Sequence, residues 1–449
     1  MEREPSGHTR PFDLILWGAT GFTGRLVAEY LLRRTPLGRE GAPRIALAGR
    51  NEEKLRALRE ELAGEYPAAA NLELRCAQID SAESLDRLCR EGRVICSVVG
   101  PYARYGSSLV AACVRAGSHY CDLSGEVHWI RSMIDAHHRD AEAARVKLVH
   151  CCGFDSIPSD IAVMTLVDAF AAEEQRRRRQ ESSAGDAPTG GASGAINEAS
   201  EELRIRAYFG PLRGGISGGT VASLLGALEA AKERPVRRIL ADPYSLCPGA
   251  PRGRDRGEAL SLVKLPDYPP RGGWRAPFLM APVNAKVVRR SASLLSERYG
   301  ALRYSEALAF PRGLRGLRRA ALMTAGLGIG IGLLSWSPTR ALLRRFILPK
   351  PGSGPSPEAR AAGHFRLLLL GERGGLRRSL ELRARLDPGY GGTAVMLAEA
   401  ALCLAFDDEQ APQRWGSLTP AAALGVPLRE RLERSGFEFK LSPETQLPT

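Results

Sequence analysis

At 449 residues, with 44% hydrophobic and 25% charged residues, the chain has material for two domains and a sizeable core, which excludes a disordered protein. Nine cysteines form no CxxC or CxxH pair, so neither a disulfide framework nor a metal site is expected. The formal charge of +13 fits nucleic acid, an anionic lipid surface or a soluble exterior, and its distribution has to decide among them. Met1 to Arg10 is polar and the first apolar run is a strand, so no signal peptide is expected and the thiols read as reduced, in a cytoplasmic chain.

The first motif is Phe12 to Gly24, FDLILWGATGFTG. Its apolar positions up to Trp17 read as a buried parallel strand, the glycines at 18, 21 and 24 break it, and Arg25 to Arg33 reads as a helix. Strand, glycine turn and helix in that order describe a dinucleotide site. Gly18 allows the tight turn, Gly21 lets the backbone approach a pyrophosphate, and Gly24 lets the helix lie close to the strand. Thr20, Phe22 and Thr23 complete the turn, whose free N–H groups face the anion. Arg44 to Ala48 is a second strand, ending in Gly49 and Arg50 where an NAD site usually carries a carboxylate for the ribose. A guanidinium pairs with a 2′-phosphate that a carboxylate would repel, and Lys54 follows one turn on. NADP(H) is therefore the expected cofactor.

A third strand, Leu72 to Ile79, ends at Asp80, expected at the adenine amino group. The fourth, Val94 to Val99, stops at Gly100-Pro101-Tyr102, beside the switch point where a nicotinamide belongs. Gly100 and Pro101 suit a loop whose backbone walls a flat ring; Tyr102 and Tyr105 either line the site or cap the loop. His119 to Leu123 is a fifth strand and Val146 to His150 a sixth. Six strands alternating with helices over roughly 140 residues make a Rossmann-type doubly wound parallel sheet, so the fold class is α/β. Cys151 to Asp160 follows, placing Gly153 to Ser156, and Asp155 with them, at the same strand-end face; a helix is expected from Asp160 to Phe170.

Ala171 to Asn197 breaks the composition: four arginines (176–179), then Ser, Gly, Ala and Pro, read as a mobile surface insertion. No aromatic residues interleave with the arginines, which argues against nucleic acid. Leu203 to Phe209 alternates as a half-exposed strand, and Ser217 and Thr220 precede a helix from Val221 to Lys232, most simply as its caps. Asn284 to Arg298 is another expected helix. No acidic residue occurs between Glu306 and Glu358. Arg312, Arg315, Arg318 and Arg319 precede an uncharged run, Ala320 to Thr339, and Arg340, Arg344, Arg345 and Lys350 follow it. Basic residues at both ends point to an element lying on an anionic leaflet, with a glycine-packed core helix and a true span as the alternatives. Ala394 to Phe406 and Pro420 to Arg434 close the chain as helices.

The stretches GATGFTG (18–24), LAGR (47–50), VVGPYARYG (98–106), AGSHYCDLSGE (116–126), CGFDSIPSD (152–160) and DPGYGGTAVMLAEAALCLA (387–405) resemble the saccharopine dehydrogenase-like oxidoreductases, within them the trans-acting enoyl reductase branch. SGGT (217–220), KPGSGPSPEAR (350–360) and TPAAALG (419–425) extend the likeness along nearly the whole chain. The resemblance implies an NADP-binding domain (1–165), an inserted α/β substrate domain (201–385, with 311–350 as its membrane-contact segment) after a flexible insertion (171–200), and C-terminal helices (386–449) returning to the first domain. It further implies reduction of an enoyl or keto group of a lipid or glycolipid precursor; with the basic segment 312–350 on an anionic leaflet, the expected location is cytoplasmic and peripheral to the plasma membrane. A homodimer is left open. No tyrosine has a lysine four residues on, so the Tyr-x-x-x-Lys mechanism is excluded. Of the donors near strand ends (Tyr102, Tyr105, His119, Tyr120, Cys121, Asp122, Asp155), Tyr102 and Asp155 are the expected catalytic residues, and His119 reads as structural. A non-catalytic NADP-binding scaffold at membranes or lipid bodies, and a saccharopine-type amino-acid dehydrogenase, are the competing readings.

Overall fold

The computed structural model describes residues 10–35, 42–183, 202–210, 212–214, 218–249, 262–265, 272–335, 338–339 and 354–442. Strands β1 (Phe12–Trp17), β2 (Ile45–Gly49), β3 (Glu73–Cys76), β4 (Gly92–Ser97), β5 (His119–Asp122) and β6 (Lys147–Val149) are joined by helices and pair in parallel. The sheet order is β13-β6-β5-β4-β1-β2-β3, the seventh strand β13 (Gly416–Leu418) arriving from the end of the chain. β1, β2, β4, β5 and β6 are buried almost throughout, as continuous apolar runs covered by helices on both faces must be. The third strand is shorter than the expected 72–79 because pairing stops at Cys76, and Asp80 follows in an exposed turn.

A second seven-stranded sheet runs β14-β12-β11-β7-β10-β9-β8, with β7 Leu203–Phe209, β8 Val263–Leu265, β9 Gly273–Ala276, β10 Leu302–Pro311, β11 Phe365–Arg373, β12 Leu376–Ala384 and β14 Phe437–Ser442. Only β7 and β10 pair in parallel; the other neighbours are antiparallel. The C-terminal segment therefore supplies a strand to each sheet rather than helices alone. The expected last helix is broken at Leu424 into Pro420–Ala423 and Gly425–Arg434.

Three helices join the sheets. Ile157–Ser183 runs on through the arginine run that composition suggested was mobile. Glu173 explains this: 9% exposed, it accepts from Arg378 on β12 at 2.5 Å and pairs with Arg176 at 3.1 Å. Residues 184–200 lie outside the described residues. Gly391–Phe406 is buried along nearly its whole length, with Glu399 inside accepting from Tyr30 at 2.6 Å and Arg431 at 3.1 Å. Ala281–Leu294 is the third, and it buries Asn284, Lys286, Arg289, Arg290 and Ser291.

The uncharged run forms a helix, Leu314–Ser335. Only 6% of its apolar stretch is buried, and Leu314, Leu322 and Ile329 are 73%, 74% and 63% exposed. A Cβ built on Gly326, Gly328, Gly330 or Gly332 would meet nothing within 4 Å among the described residues, so these glycines pack against no described core. That removes the core-helix alternative. Ser217, Arg340, Arg344, Arg345 and Lys350 lie outside the described residues.

Candidate active site

The three glycines of the first turn do three different things. Gly18 has φ +90°, and a Cβ there would come within 2.5 Å of Val99 Cγ2, so neither the conformation nor the space admits a side chain. A Cβ on Gly24 would stand 2.3 Å from the Gly18 carbonyl oxygen, the close approach of helix to turn. At Gly21 the nearest protein atom would be the Gly18 oxygen at 3.4 Å, which is ordinary contact. Nothing among the described residues demands glycine at 21, and the space beside it leaves room for a ligand to approach the backbone. The helix Phe22–Arg34 starts here with Gly21 as its N-cap and no side-chain cap, leaving its first N–H groups for an anion.

Arg50 is exposed at the end of β2 and lines the same cavity. Its guanidinium makes no hydrogen bond or ion pair among the described residues, while its carbonyl accepts from Gln78 Nε2 at 3.2 Å. A fixed backbone and a free cation suit a 2′-phosphate. Lys54 and Asp80 are exposed and outside the cavity wall, so the structure does not bring these two expected cofactor residues to the site. Thr20, Gly21, Phe22, Thr23, Gly100 and Pro101 all line it, and the Gly100–Pro101 peptide is cis. These residues fit an NADP(H) molecule, held at its phosphates by the turn and Arg50.

The cavity measures about 1380 Å³ and spans both sheets. One end is the glycine turn with the strand-end loops of β4, β5 and β6. The other is formed by Phe278, Phe310 and the helices Gly218–Ala230 and Leu314–Ser335, through Leu224, Leu228, Leu322 and Leu327. Tyr102, one of the two expected catalytic residues, is displaced from that role. Its hydroxyl donates to the Ser97 carbonyl at 3.1 Å and accepts from Leu123 N–H at 3.1 Å, and the residue is 5% exposed. Its ring stacks on Trp129 at 5.5 Å, and burial drives the phenol well above its ordinary pKa. A phenol tied to two strand ends is placed to hold the loop. Tyr105 stays half-buried at the cavity wall under the Arg104 guanidinium.

Asp155 does face the cavity, half-buried, with no hydrogen bond or ion pair among the described residues. Desolvation alone raises its carboxyl to about 6. Asp122 is fully buried and satisfied by Ser124 N–H at 2.9 Å, Cys151 N–H at 3.2 Å and His150 Nδ1 at 2.8 Å, so it shapes the β5 and β6 ends. Tyr120 and Cys121 are buried inside β5. His119 lies at the opposite end of that strand, where its Nδ1 accepts from Lys147 N–H at 3.1 Å. Burial lowers its pKa to about 4, which keeps the ring neutral.

Two residues escaped the sequence reading. Glu126, 3% exposed, accepts from Tyr102 N–H at 2.8 Å, Ala103 N–H at 2.9 Å and Ser223 Oγ at 3.0 Å, tying the β4 loop to the helix Gly218–Ala230. The acid directly before a helix in SGE (124–126) was the available signal. Lys286 lines the cavity at 5% exposure, and a lysine inside the apolar register AKVV (285–288) was its signal.

Two outcomes follow. The parent should bind NADPH more tightly than NADH, and Arg50→Asp should reverse the order, with a loss of about 1.5–3 kcal/mol for NADPH in parallel titrations. Gly21→Val should keep a parent-like melting transition yet lose NADPH binding, whereas Gly24→Val should lose the transition itself. Parent affinity in Gly21→Val would remove the turn from the site.

Residues 14–149 match the family model described as the saccharopine dehydrogenase NADP binding domain. A Mycobacterium tuberculosis relative is 38% identical over 450 residues, covering 96% of this chain and 97% of its own. The trans-acting enoyl reductase of Mycobacterium ulcerans is 36% identical over 96% of this chain and 98% of its own, and a trans-acting enoyl reductase of M. tuberculosis is 35% identical over 95% and 97%. Among solved structures, apo saccharopine dehydrogenase (L-Glu forming) from Saccharomyces cerevisiae aligns over 96% of this chain and 99% of its own, with a TM-score of 0.49 and 11% identity. By full-length similarity, and with the glycine turn and free Arg50 in place, the chain belongs to the trans-acting enoyl reductases and is an NADP(H)-dependent oxidoreductase with a saccharopine dehydrogenase-type NADP-binding domain.

Proposed function

We propose that the protein uses NADPH to reduce an enoyl group, or less readily a keto group, of a lipid or lipid-linked substrate at the cytoplasmic face of the plasma membrane. The observation that carries this reading is the continuity of the cavity, about 1380 Å³ from the glycine turn to the apolar faces of two helices. A cofactor and an acyl chain need such a space, polar at one end and apolar at the other. The relatives named as enoyl reductases support enoyl over keto.

When bound, NADPH supplies the hydride. The Gly18–Gly24 turn holds its pyrophosphate and Arg50 its 2′-phosphate. Gly100 and Pro101 flank the nicotinamide end. Apolar walls exclude water, and Asp155 hands over the proton that completes the reduction. Its carboxyl, raised to about 6, is protonated below that pH and loses its proton above it. The exposed apolar helix supports membrane attachment, because Arg312, Arg315, Arg318 and Arg319 at its N-terminal end would meet anionic headgroups while Leu322 and Ile329 enter the acyl region.

NADPH absorbance should fall when a medium-chain α,β-unsaturated acyl ester is supplied. The rate should drop as pH rises through about 6, and Asp155→Asn should cost roughly 100-fold and abolish that limb without changing NADPH affinity. If no enoyl or keto lipid consumes NADPH, a non-catalytic NADP-binding scaffold becomes the better reading. The protein should also co-sediment with phosphatidylglycerol vesicles, bind neutral ones more weakly and be partly released by salt. Reversing Arg312, Arg315 and Arg318 to Glu should weaken that binding by about 100-fold or more, at roughly 1 kcal/mol per lost cation. Indifference to vesicles of every composition would end the membrane reading and leave the reductase reading standing.

A further inference from the structure

The helix Ala281–Leu294 is buried without a break from Asn284 to Ser291, and among the described residues all but one of the polar side chains in that stretch have partners. Asn284 Nδ2 donates to Glu306 Oε1 at 2.7 Å, Arg289 to the Tyr304 carbonyl at 3.3 Å, and Arg290 to the Ser417 carbonyl at 2.5 Å. Ser291 Oγ donates to Asp160 Oδ1 at 2.5 Å. Lys286 is the exception: 5% exposed, in the cavity wall, with no hydrogen bond or ion pair among the described residues.

Burying an unpaired ammonium is costly, and a site that keeps one has a use for positive charge. Burial pushes this ammonium down to about 8, helped by Arg289 and opposed by Asp242, so it remains cationic at neutral pH. Its place in the cavity follows from the helix. Val283, one turn earlier on the same face, lies against Gly125 at the β5 end: a Cβ built there would be 4.0 Å from Val283 Cγ1, 3.9 Å from Met280 Cε and 3.7 Å from Asp155 Oδ2. Lys286 thus follows, by one helical turn, a residue that faces Gly125 as Asp155 does, beside the expected nicotinamide position. Desolvation alone shifts Asp155, so the two groups do not neutralise each other; acid and cation stay available for separate tasks.

We infer that Lys286 binds the carbonyl oxygen of the acyl substrate and holds the negative charge that oxygen acquires during reduction. The inference rests on the reductase reading above. When hydride from NADPH adds to the β-carbon of an enoyl group, a C–H bond forms and the C=C π bond breaks. That electron pair moves onto the carbonyl oxygen as an enolate, which collapses as the α-carbon takes a proton; the substrate is reduced and NADPH becomes NADP+. An ammonium fixed in an apolar wall stabilises the enolate more than the neutral carbonyl, which is what lowers a barrier. The apolar residues that line the same cavity from its own helix, Pro282 and Val283, with Met280 just before it, suit the first carbons of an acyl chain.

The test uses the full chain without cofactor and two probes of equal chain length, dodecanoate, whose charge stands where the enolate oxygen forms, and dodecanol. By calorimetry the parent should bind dodecanoate at least about tenfold more tightly than dodecanol, as a charge-assisted contact in an apolar wall requires. Lys286→Met should erase the preference and Lys286→Arg retain part of it, both with parent NADPH affinity. In turnover, Lys286→Met should lower kcat for the unsaturated ester. A parent protein with no preference for the carboxylate overturns the assignment, whether or not Lys286→Met folds. So does a folded Lys286→Met that keeps the preference or turns over at the parent rate, and in that case the reductase reading survives. Carboxylate binding through Lys286 in a protein that reduces no enoyl lipid would sink the reductase reading and leave the anion site in place.

Discussion

The structure depends on burying polar groups between two sheets without leaving them unsatisfied. The helix Ala281–Leu294 carries an amide, two guanidiniums and a hydroxyl into the interior, and each finds a partner outside the helix: Asn284 and Arg289 on β10, Arg290 at β13, Ser291 on Asp160. Apolar contacts alone would tolerate sliding of one sheet past the other. Buried hydrogen bonds do not, since each one broken leaves a desolvated group at a cost of roughly 1–3 kcal/mol. Glu306 shows the density of this network, accepting from Asn284, from Ser159 at 3.0 Å and from Tyr304 at 2.7 Å. The cofactor wall and the substrate wall are thereby held in one relation, which hydride transfer between them requires.

Within that frame the cavity divides its labour by what each group is already bonded to. Tyr102, Asp122 and Glu126 have their polar atoms committed to backbone N–H and C=O groups, so they set the geometry of the strand-end loops. Arg50, Asp155 and Lys286 line the same space and are not committed in this way. Such groups can respond to a ligand because no protein contact has to break first. The three uncommitted groups differ in charge and surroundings, which suits them to a phosphate, a proton and a developing oxyanion in turn.

The helix Leu314–Ser335 imposes the opposite condition, apolar surface left in water. Leu322, at 74% exposed, belongs to the cavity wall as well as to the outside of the molecule. Arg315, Arg318 and Arg319 stand in the first turns of the helix, where the macrodipole disfavours them, so local stability does not account for their position. An anionic surface would relieve both conditions at once, and would put the mouth of the cavity where acyl chains are concentrated.

The parallel sheet was legible in the sequence because buried parallel strands are continuous apolar runs, and the cofactor turn because its glycines act on neighbours within a few residues. Gly18 to Gly24 and Arg50 are where local spacing put them. Tyr102 and Asp155 looked equivalent as donors, since both stand in strand-end loops. They were separated only by folding, which bonded the Tyr102 hydroxyl to Ser97 and Leu123 and left the Asp155 carboxyl facing the cavity. The Ser223–Glu126 link joins residues 97 apart, the helix through Arg176–Arg179 is held by Arg378 on β12, and the chain's end is shared between two sheets. Periodicity and turn chemistry report on neighbours along the chain. Whether a polar side chain is buried with a partner, as Arg290 is, or buried with none among the described residues, as Lys286 is, depends on which distant backbone folds against it, and only the tertiary structure decides that.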